Sequence, residues 1–216
     1  MSKKKTWFHK LSTLDYRDVG EVSNAFKMVY DFYVPEDASV LDMCCGKKIM
    51  YGDNKYPNVT FNDLRTEIDA DHHYDCRTIS KNLNRRFEWF IYDPPYVDIQ
   101  SRQDEREDDY GYNMVSDIEE FEQFTYDAKR EILKLMQYSK DFYRNGIIAK
   151  ITDFHWDDRI RGHHDWIKWF EPEFYLYDLR IYRFYRRAVN INWYKRKCFK
   201  SHSYFLIFKP SLFKKQ

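Results

Sequence analysis

The chain has 216 residues and a mass of 26.8 kDa, enough for one domain with a full hydrophobic core. Its charge is balanced, with 36 Lys and Arg against 35 Asp and Glu, so no global positive field recruits a polyanion. The four cysteines show no paired metal-ligand spacing, which predicts reduced thiols, no metal site and a cytoplasmic location. No apolar run approaches the length of a membrane span, and we expect no membrane contact.

The first half of the chain predicts one helix followed by several short strands. Apolar residues recur at helical spacing from Val22 to Tyr33, and Pro35 ends that helix. Strands are predicted at residues 38–43, 58–62, 72–75 (brief) and 87–92. Only about sixteen residues separate the first two strands, so their connection is predicted to be one turn or an irregular crossover rather than a full helix.

The second half adds helices and three more strands. Ser116-x-x-Glu119 is a capping box that opens a helix predicted to end near Asn145-Gly146. Strands are then predicted at 147–151, 174–184 and 203–209, with a helix at 157–170. The pattern predicts an α/β fold, a doubly wound and mainly parallel seven-stranded sheet with a C-terminal antiparallel hairpin. We expect a single domain over residues 1–216, with a helical segment at 1–37 and the core at 38–209.

The stretch FEWFIYDPPYV, residues 87–97, ends a buried strand with a carboxylate and two prolines. Neither proline has an N–H for the sheet, so the strand is predicted to end at Asp93. The Asp93 carboxylate, the Pro94 carbonyl and the Tyr96 ring then lie at the carboxyl edge, where open α/β sheets bind ligands. The alternative is that DPPY is only a rigid turn.

Five segments, taken in order, resemble a class I S-adenosylmethionine-dependent methyltransferase. They are a strand ending at Asp42, then CCGKK (44–48), FND (61–63), YDCR (74–77) and DPPY (93–96). The spacing is similar to that of small phage-type and archaeal methyltransferases with a D-x-C-C-G turn. DPPY is similar to the catalytic motif of amino-methyltransferases, chiefly adenine-N6 and cytosine-N4 DNA enzymes. The resemblance covers residues 38–97 and implies a Rossmann-like methyltransferase fold with S-adenosyl-L-methionine as cofactor.

The resemblance also implies a donor site at the strand ends, formed by Asp42, Cys44, Gly46, Lys47, Asp63 and Asp75. Gly46 permits a close backbone approach at the first turn. Asp63 is expected at the ribose hydroxyls, and Asp75 at the adenine amine. The usual G-x-G is reduced to Gly46 followed by two lysines, which suggests the hypothesis that Lys47 offers a cation to the donor's carboxylate.

The implied reaction is methyl transfer to an exocyclic base amine, with adenine N6 in DNA as the first hypothesis. The lone pair of such an amine is delocalised into the ring, and acceptors for its two N–H bonds would free that lone pair. Asp93 and the Pro94 carbonyl are placed to accept them, Pro95 stiffens the turn, and Tyr96 could stack on a flipped base. The alternatives are an RNA base or a protein glutamine as acceptor, or an inactive nucleic-acid-binding subunit. Asp93 counts against the former, since such enzymes usually have Asn there.

A basic, aromatic segment at residues 180–200 holds eight bases and no acid. It offers phosphate contacts and stacking platforms, although an edge strand kept soluble by arginine is an alternative. We expect contacts to nucleic acid, DNA in the first instance, from Arg180, Arg183, Arg186, Arg187, Lys195 and Arg196. No separate target-recognition domain is evident. Specificity is therefore expected from residues 97–116 and 180–200, or from a partner such as a second copy in a homodimer.

Overall fold

The computed structural model describes residues 13–94, 118–156, 159–183 and 202–213, which form nine strands and four α-helices. The strands are β1 (Thr13–Asp15), β2 (Val40–Asp42), β3 (Val59–Phe61), β4 (Trp89–Tyr92), β5 (Gly146–Ile151), β6 (Phe154–Trp156), β7 (Arg159–Arg161), β8 (Phe174–Arg183) and β9 (His202–Pro210). The helices are α1 (Tyr16–Val19), α2 (Val22–Tyr33), α3 (Ile118–Leu135) and α4 (His163–Phe170). None of these helices has the length and apolar character needed to span a bilayer.

In the described part of the chain, seven strands form one sheet in the order β1-β8-β9-β5-β4-β2-β3. The pairs β3–β2, β2–β4 and β4–β5 are parallel, whereas β9 runs antiparallel to both β5 and β8. The predicted α/β class, the mainly parallel sheet and the C-terminal hairpin are therefore confirmed. In the sheet, β3 lies on one side of β2, and β4, which comes later in the chain, lies on its other side. The carboxyl ends of β2 and β4 thus form the switch point at which such sheets bind ligands.

Both faces of the sheet are covered, as the continuous apolar strand β4 requires. Trp89 and Ile91 point to the face packed by α2, where they join Phe26 in one core cluster. Phe90 and Tyr92 point to the opposite face and pack with residues of α3 and α4. This alternation keeps β4 fully buried up to Tyr92, and the next residue, Asp93, emerges at the edge of the core.

Two predicted helices have different bounds in the structure. The helix predicted to end near Asn145-Gly146 ends at Leu135, because the chain then pairs with Phe87 through hydrogen bonds to Leu135 and Gln137. Its predicted capping box at Ser116 lies outside the described residues. The helix predicted over 157–170 forms only at 163–170, because residues 154–156 and 159–161 pair as a small antiparallel sheet.

Two strand predictions also need correction. The strand predicted at 72–75 is reduced to one parallel bridge between His72 and Asn62. The unpredicted strand β1 pairs in parallel with β8, so the segment predicted as helical at 1–37 also contributes to the sheet. The connection between β2 and β3 consists of turns, as its length predicted.

Candidate active site

A cavity of about 270 Å³ opens at the carboxyl ends of β2, β3, β4 and β5. The turn after β2, the residues after β3, the segment around Cys76 and the ends of β4 and β5 all line it. Six of the predicted site residues are brought together here: Cys44, Gly46, Lys47, Asp63, Asp93 and Pro94. Pro95 and Tyr96 lie outside the described residues. The predicted donor turn and the predicted catalytic aspartate thus share one cavity.

The turn after β2 is fixed by the end of β3. Gly46 has φ +53°, a left-handed conformation that costs a side-chain-bearing residue roughly 1–2 kcal/mol. Its backbone N–H donates to Oδ2 of Asp63 at 2.8 Å, and the N–H of Cys45 donates to the carbonyl of Asn62 at 2.9 Å. These bonds hold the turn open toward the cavity.

Asp63 is buried, and three hydrogen bonds occupy most of its carboxylate. Oδ2 accepts from Gly46, while Oδ1 accepts from the backbone N–H of Arg65 at 3.1 Å and from its Nε at 3.0 Å. A carboxylate has about four acceptor sites, so one is left for a ribose hydroxyl. Arg65 is itself buried and lines the cavity, which adds a cation that the sequence analysis did not single out.

Asp42 was expected to contact the donor, but the structure places it beneath the turn. Its side chain is fully buried and is not part of the cavity wall. It accepts hydrogen bonds from the N–H of Cys44 at 3.0 Å and from the hydroxyl of Tyr51 at 2.5 Å. Burial raises the pKa of this carboxyl to about 7, although both hydrogen bonds oppose the shift. Asp42 therefore positions the turn from below, and its predicted direct contact is corrected.

Asp75 was expected at the adenine amine of the donor, and that contact stays a prediction. Its carboxylate is paired with the guanidinium of Arg77, with Nη2 and Oδ2 2.6 Å apart, and it does not line the cavity. Its neighbours Tyr74 and Cys76 line the cavity instead, as expected where successive side chains of an extended segment alternate. This wall packs against Cys44, and the Cys76 thiol together with burial raises the pKa of the Cys44 thiol.

Asn62 holds that wall in place without a regular strand. Its amide Nδ2 donates to the carbonyls of Tyr74 at 2.8 Å and Met43 at 3.0 Å, and its Oδ1 accepts from the N–H of Tyr74 at 3.0 Å. The side chain is fully buried, so these bonds satisfy an amide that would otherwise be costly to bury. In the sequence, Asn62 is the polar residue at the end of the predicted strand 58–62, and it was predicted only to end that strand.

Directly after β4, the side chain of Asp93 contacts a lysine. The Nζ of Lys150 lies 2.7 Å from Oδ2 of Asp93, and both residues line the cavity beside Pro94. The pairing follows from the register of β4 and β5, in which Tyr92 lies opposite Ala149 and the next residues lie side by side. Sequence reasoning missed Lys150 because GIIAKI reads as an ordinary core strand, and only the pairing of strands distant in sequence places its amine here.

The predicted nucleic-acid residues divide into buried, exposed and undescribed ones. Arg180 is buried, donates from Nε to the Tyr33 hydroxyl at 2.8 Å, and lies 3.4 Å from Asp178. Its predicted phosphate contact is corrected, because the side chain is buried and its bond to Tyr33 joins β8 to α2. The Arg183 side chain is 61% exposed and lies 3.7 Å from Asp15. The other four residues, Arg186, Arg187, Lys195 and Arg196, lie outside the described residues, so their contacts stay a prediction.

No protein-family model matches the sequence, and no curated protein matches it. TrmN from Thermus thermophilus is similar in structure, with 12% identity over 87% of this chain and 48% of that chain, and a TM-score of 0.50. A presumed rRNA methylase from Clostridium thermocellum has 10% identity, covers 87% of this chain and 96% of that chain, and has a TM-score of 0.47. A presumed methyltransferase from Streptococcus mutans in complex with SAH has 12% identity, 88% and 95% coverage and a TM-score of 0.41.

The chain spans about half the length of TrmN, with 48% of that protein covered. At 12% identity the likeness is one of fold. Together with the sheet order, it shows that this chain has a Rossmann-like α/β fold similar to that of TrmN.

Proposed function

We propose that the protein is an S-adenosyl-L-methionine-dependent methyltransferase that acts on an exocyclic base amine, with adenine N6 of DNA as its acceptor. One observation carries the proposal. A single cavity is lined by the Gly46 turn and Asp63, which follow β2 and β3, and by Asp93 and Pro94, which follow β4. Donor-binding and amine-binding groups therefore face the same space, as methyl transfer between two bound molecules requires.

The residues at the donor end fit the chemical groups of S-adenosylmethionine. The remaining acceptor site of Asp63 suits a ribose hydroxyl, and the wall of Tyr74 and Cys76 suits the flat adenine. Lys47 and Arg65 offer cations to the donor's carboxylate. When bound, the donor supplies an electrophilic methyl group on a sulfonium.

The residues at the acceptor end suit an amine with two N–H bonds. The Asp93 carboxylate and the Pro94 carbonyl can accept hydrogen bonds from these two N–H groups. The hydrogen bonds orient the nitrogen and reduce the delocalisation of its lone pair into the ring, so the lone pair is available for attack. After transfer the nitrogen must lose one proton, and the Asp93 carboxylate is the acceptor for it. Preorganised electrostatic partners of this kind account for much of the rate enhancement of enzymes.

The test is to incubate the protein with tritiated methyl donor and, separately, with duplex DNA, single-stranded DNA, RNA and a cell extract. Digestion to nucleosides and amino acids then identifies the labelled group. We expect label on adenine N6 in DNA. Label on an RNA base or on glutamine would overturn DNA as the substrate, while an NH2 group would remain the methyl acceptor. Donor binding without any transfer would overturn the enzymatic proposal in favour of a binding subunit.

A further inference from the structure

The acceptor end of the cavity holds a pair of opposite charges rather than a lone carboxylate. Lys150 Nζ and Asp93 Oδ2 are 2.7 Å apart, and their side chains are 17% and 23% exposed. Charges that are this far removed from solvent are screened less than surface pairs, so each strongly affects a charged ligand beside it. The ammonium and the carboxylate largely cancel at a distance while both are present.

We propose that Lys150 is a specificity-determining residue, whose ammonium balances Asp93 so that the acceptor end favours an uncharged amine over a protonated alkylamine. The inference rests on the proposed function, because it takes Asp93 as the group that binds the acceptor. An uncharged base amine can donate a hydrogen bond to the paired carboxylate. A protonated alkylamine would instead approach two resident positive charges, the Lys150 ammonium and the sulfonium of the donor, with only one carboxylate between them.

The same pair governs how the cavity distinguishes the donor from its product. The donor carries a positive sulfonium, whereas the product carries a neutral thioether and is otherwise alike except for the methyl group. With an effective dielectric constant of about 20, a unit charge several ångströms away changes sulfonium affinity by more than about tenfold.

An ion pair that merely ties β4 to β5 would behave differently. Its loss would lower stability and weaken both ligands alike, since neither strand end distinguishes a sulfonium from a thioether. The ratio of product to donor dissociation constants therefore separates the two roles. The other charged residues that line the cavity in the described part of the chain, Asp63, Lys47 and Arg65, are the same in all variants, so they do not contribute to a change of that ratio between variants.

The experiment is calorimetric titration of S-adenosylmethionine and of its demethylated product into four variants and the wild type. Lys150→Met removes one positive charge beside Asp93, and we expect the donor to gain about tenfold or more over the product. Asp93→Asn removes one negative charge beside Lys150, and we expect the opposite shift. Lys150→Arg keeps the charge and should keep the ratio. Lys27→Met is the matched control, because Lys27 pairs with Asp31 on the exposed face of α2.

A second readout tests the acceptor directly, with n-butylammonium as a competitor of DNA methylation. We expect it to inhibit Lys150→Met measurably more than the wild type. If Lys150→Met binds both ligands with an unchanged ratio, or if Asp93→Asn fails to shift the ratio the other way, the inference is wrong. Base methylation by the wild type would still stand in that case. If the wild type binds neither ligand, the proposed function itself fails. Should Lys150→Met not fold, Asp93→Asn decides alone.

Discussion

The backbone N–H of Gly46 donates a 2.8 Å hydrogen bond to Oδ2 of Asp63, which joins the turn after β2 to the end of β3. The same carboxylate holds the side chain of Arg65 through Oδ1. One buried aspartate thus fixes both the glycine turn and a cation of the cavity wall. Asp63 therefore has a structural role in addition to the ribose contact that the family resemblance implied.

Replacing Asp63 by Ala should therefore reduce both stability and donor binding. The change leaves the buried Arg65 guanidinium without its carboxylate, and breaking a buried pair in this way costs about 3–5 kcal/mol. We expect a lower melting temperature and at least a tenfold loss of donor affinity by calorimetry. Asp69→Ala is the control, because Asp69 is a fully exposed acid paired with Lys48. Unchanged donor affinity in Asp63→Ala would contradict the assigned donor site.

Local patterns predicted the framework of this site. The apolar run before Asp93 could only be a strand covered on both faces, and the two prolines after it had to end that strand. Gly46 between two predicted strands likewise indicated a tight turn. These features depend on residues adjacent in sequence, and the structure has them where they were predicted.

Other contacts of the site depend on how segments that are distant in sequence pair with each other, which local sequence patterns do not predict. Lys150 reaches Asp93 only because β5 pairs with β4, and Asn62 reaches Tyr74 across a bridge that replaces a strand. The direction in which a side chain points is set in the same way. Arg180 lies within a basic run but faces α2, so its neighbours in the sequence gave no sign of its burial.

The buried carboxyl of Asp42 should make stability depend on pH. Its folded pKa is about 7 against 3.8 for the free side chain, chiefly because of burial. Between about pH 4 and 7 the unfolded chain releases this proton while the folded protein keeps it, so the free energy of unfolding falls as pH rises. The full effect is on the order of 2–4 kcal/mol.

Asp42→Asn removes this titration and keeps an acceptor for the Cys44 N–H. We expect the wild-type free energy of unfolding, measured relative to that of the variant, to decline from about pH 4 to 7 and then level off. Urea denaturation of both proteins at several pH values measures the difference. A difference independent of pH would show that Asp42 is ionised throughout.

The basic segment predicts salt-dependent binding to nucleic acid. Replacing Arg183, Arg186 and Arg187 together by Gln should flatten the plot of log affinity against log salt by about 0.9 per lost phosphate contact on duplex DNA. Fluorescence anisotropy between about 50 and 200 mM salt measures the slope. Arg180→Met should lower stability and leave the slope unchanged, since Arg180 is buried. A triple variant with the wild-type slope would favour the edge-strand alternative.

Asp93 should be essential for turnover while contributing little to folding. Its side chain is partly exposed at the cavity, so Lys150 can be hydrated when the carboxylate is lost. Asp93→Ala is expected to reduce methylation on the order of 10²- to 10³-fold, as with other preorganised electrostatic groups. Its melting temperature and its affinity for the uncharged product should stay near wild type.

Asp93→Asn retains one acceptor oxygen and should keep part of the activity that Asp93→Ala loses, while Asp69→Ala should match the wild type. Single-turnover methylation with saturating donor and DNA compares the four proteins, and product binding verifies that each is folded. Because the amine must be oriented by a hydrogen-bond acceptor at this position, we expect the methylation rate to be highest in the wild type, lower in Asp93→Asn and lowest in Asp93→Ala. If Asp93→Ala methylates adenine at the wild-type rate, then DPPY is only a turn in this protein and the amino-methyltransferase proposal is wrong.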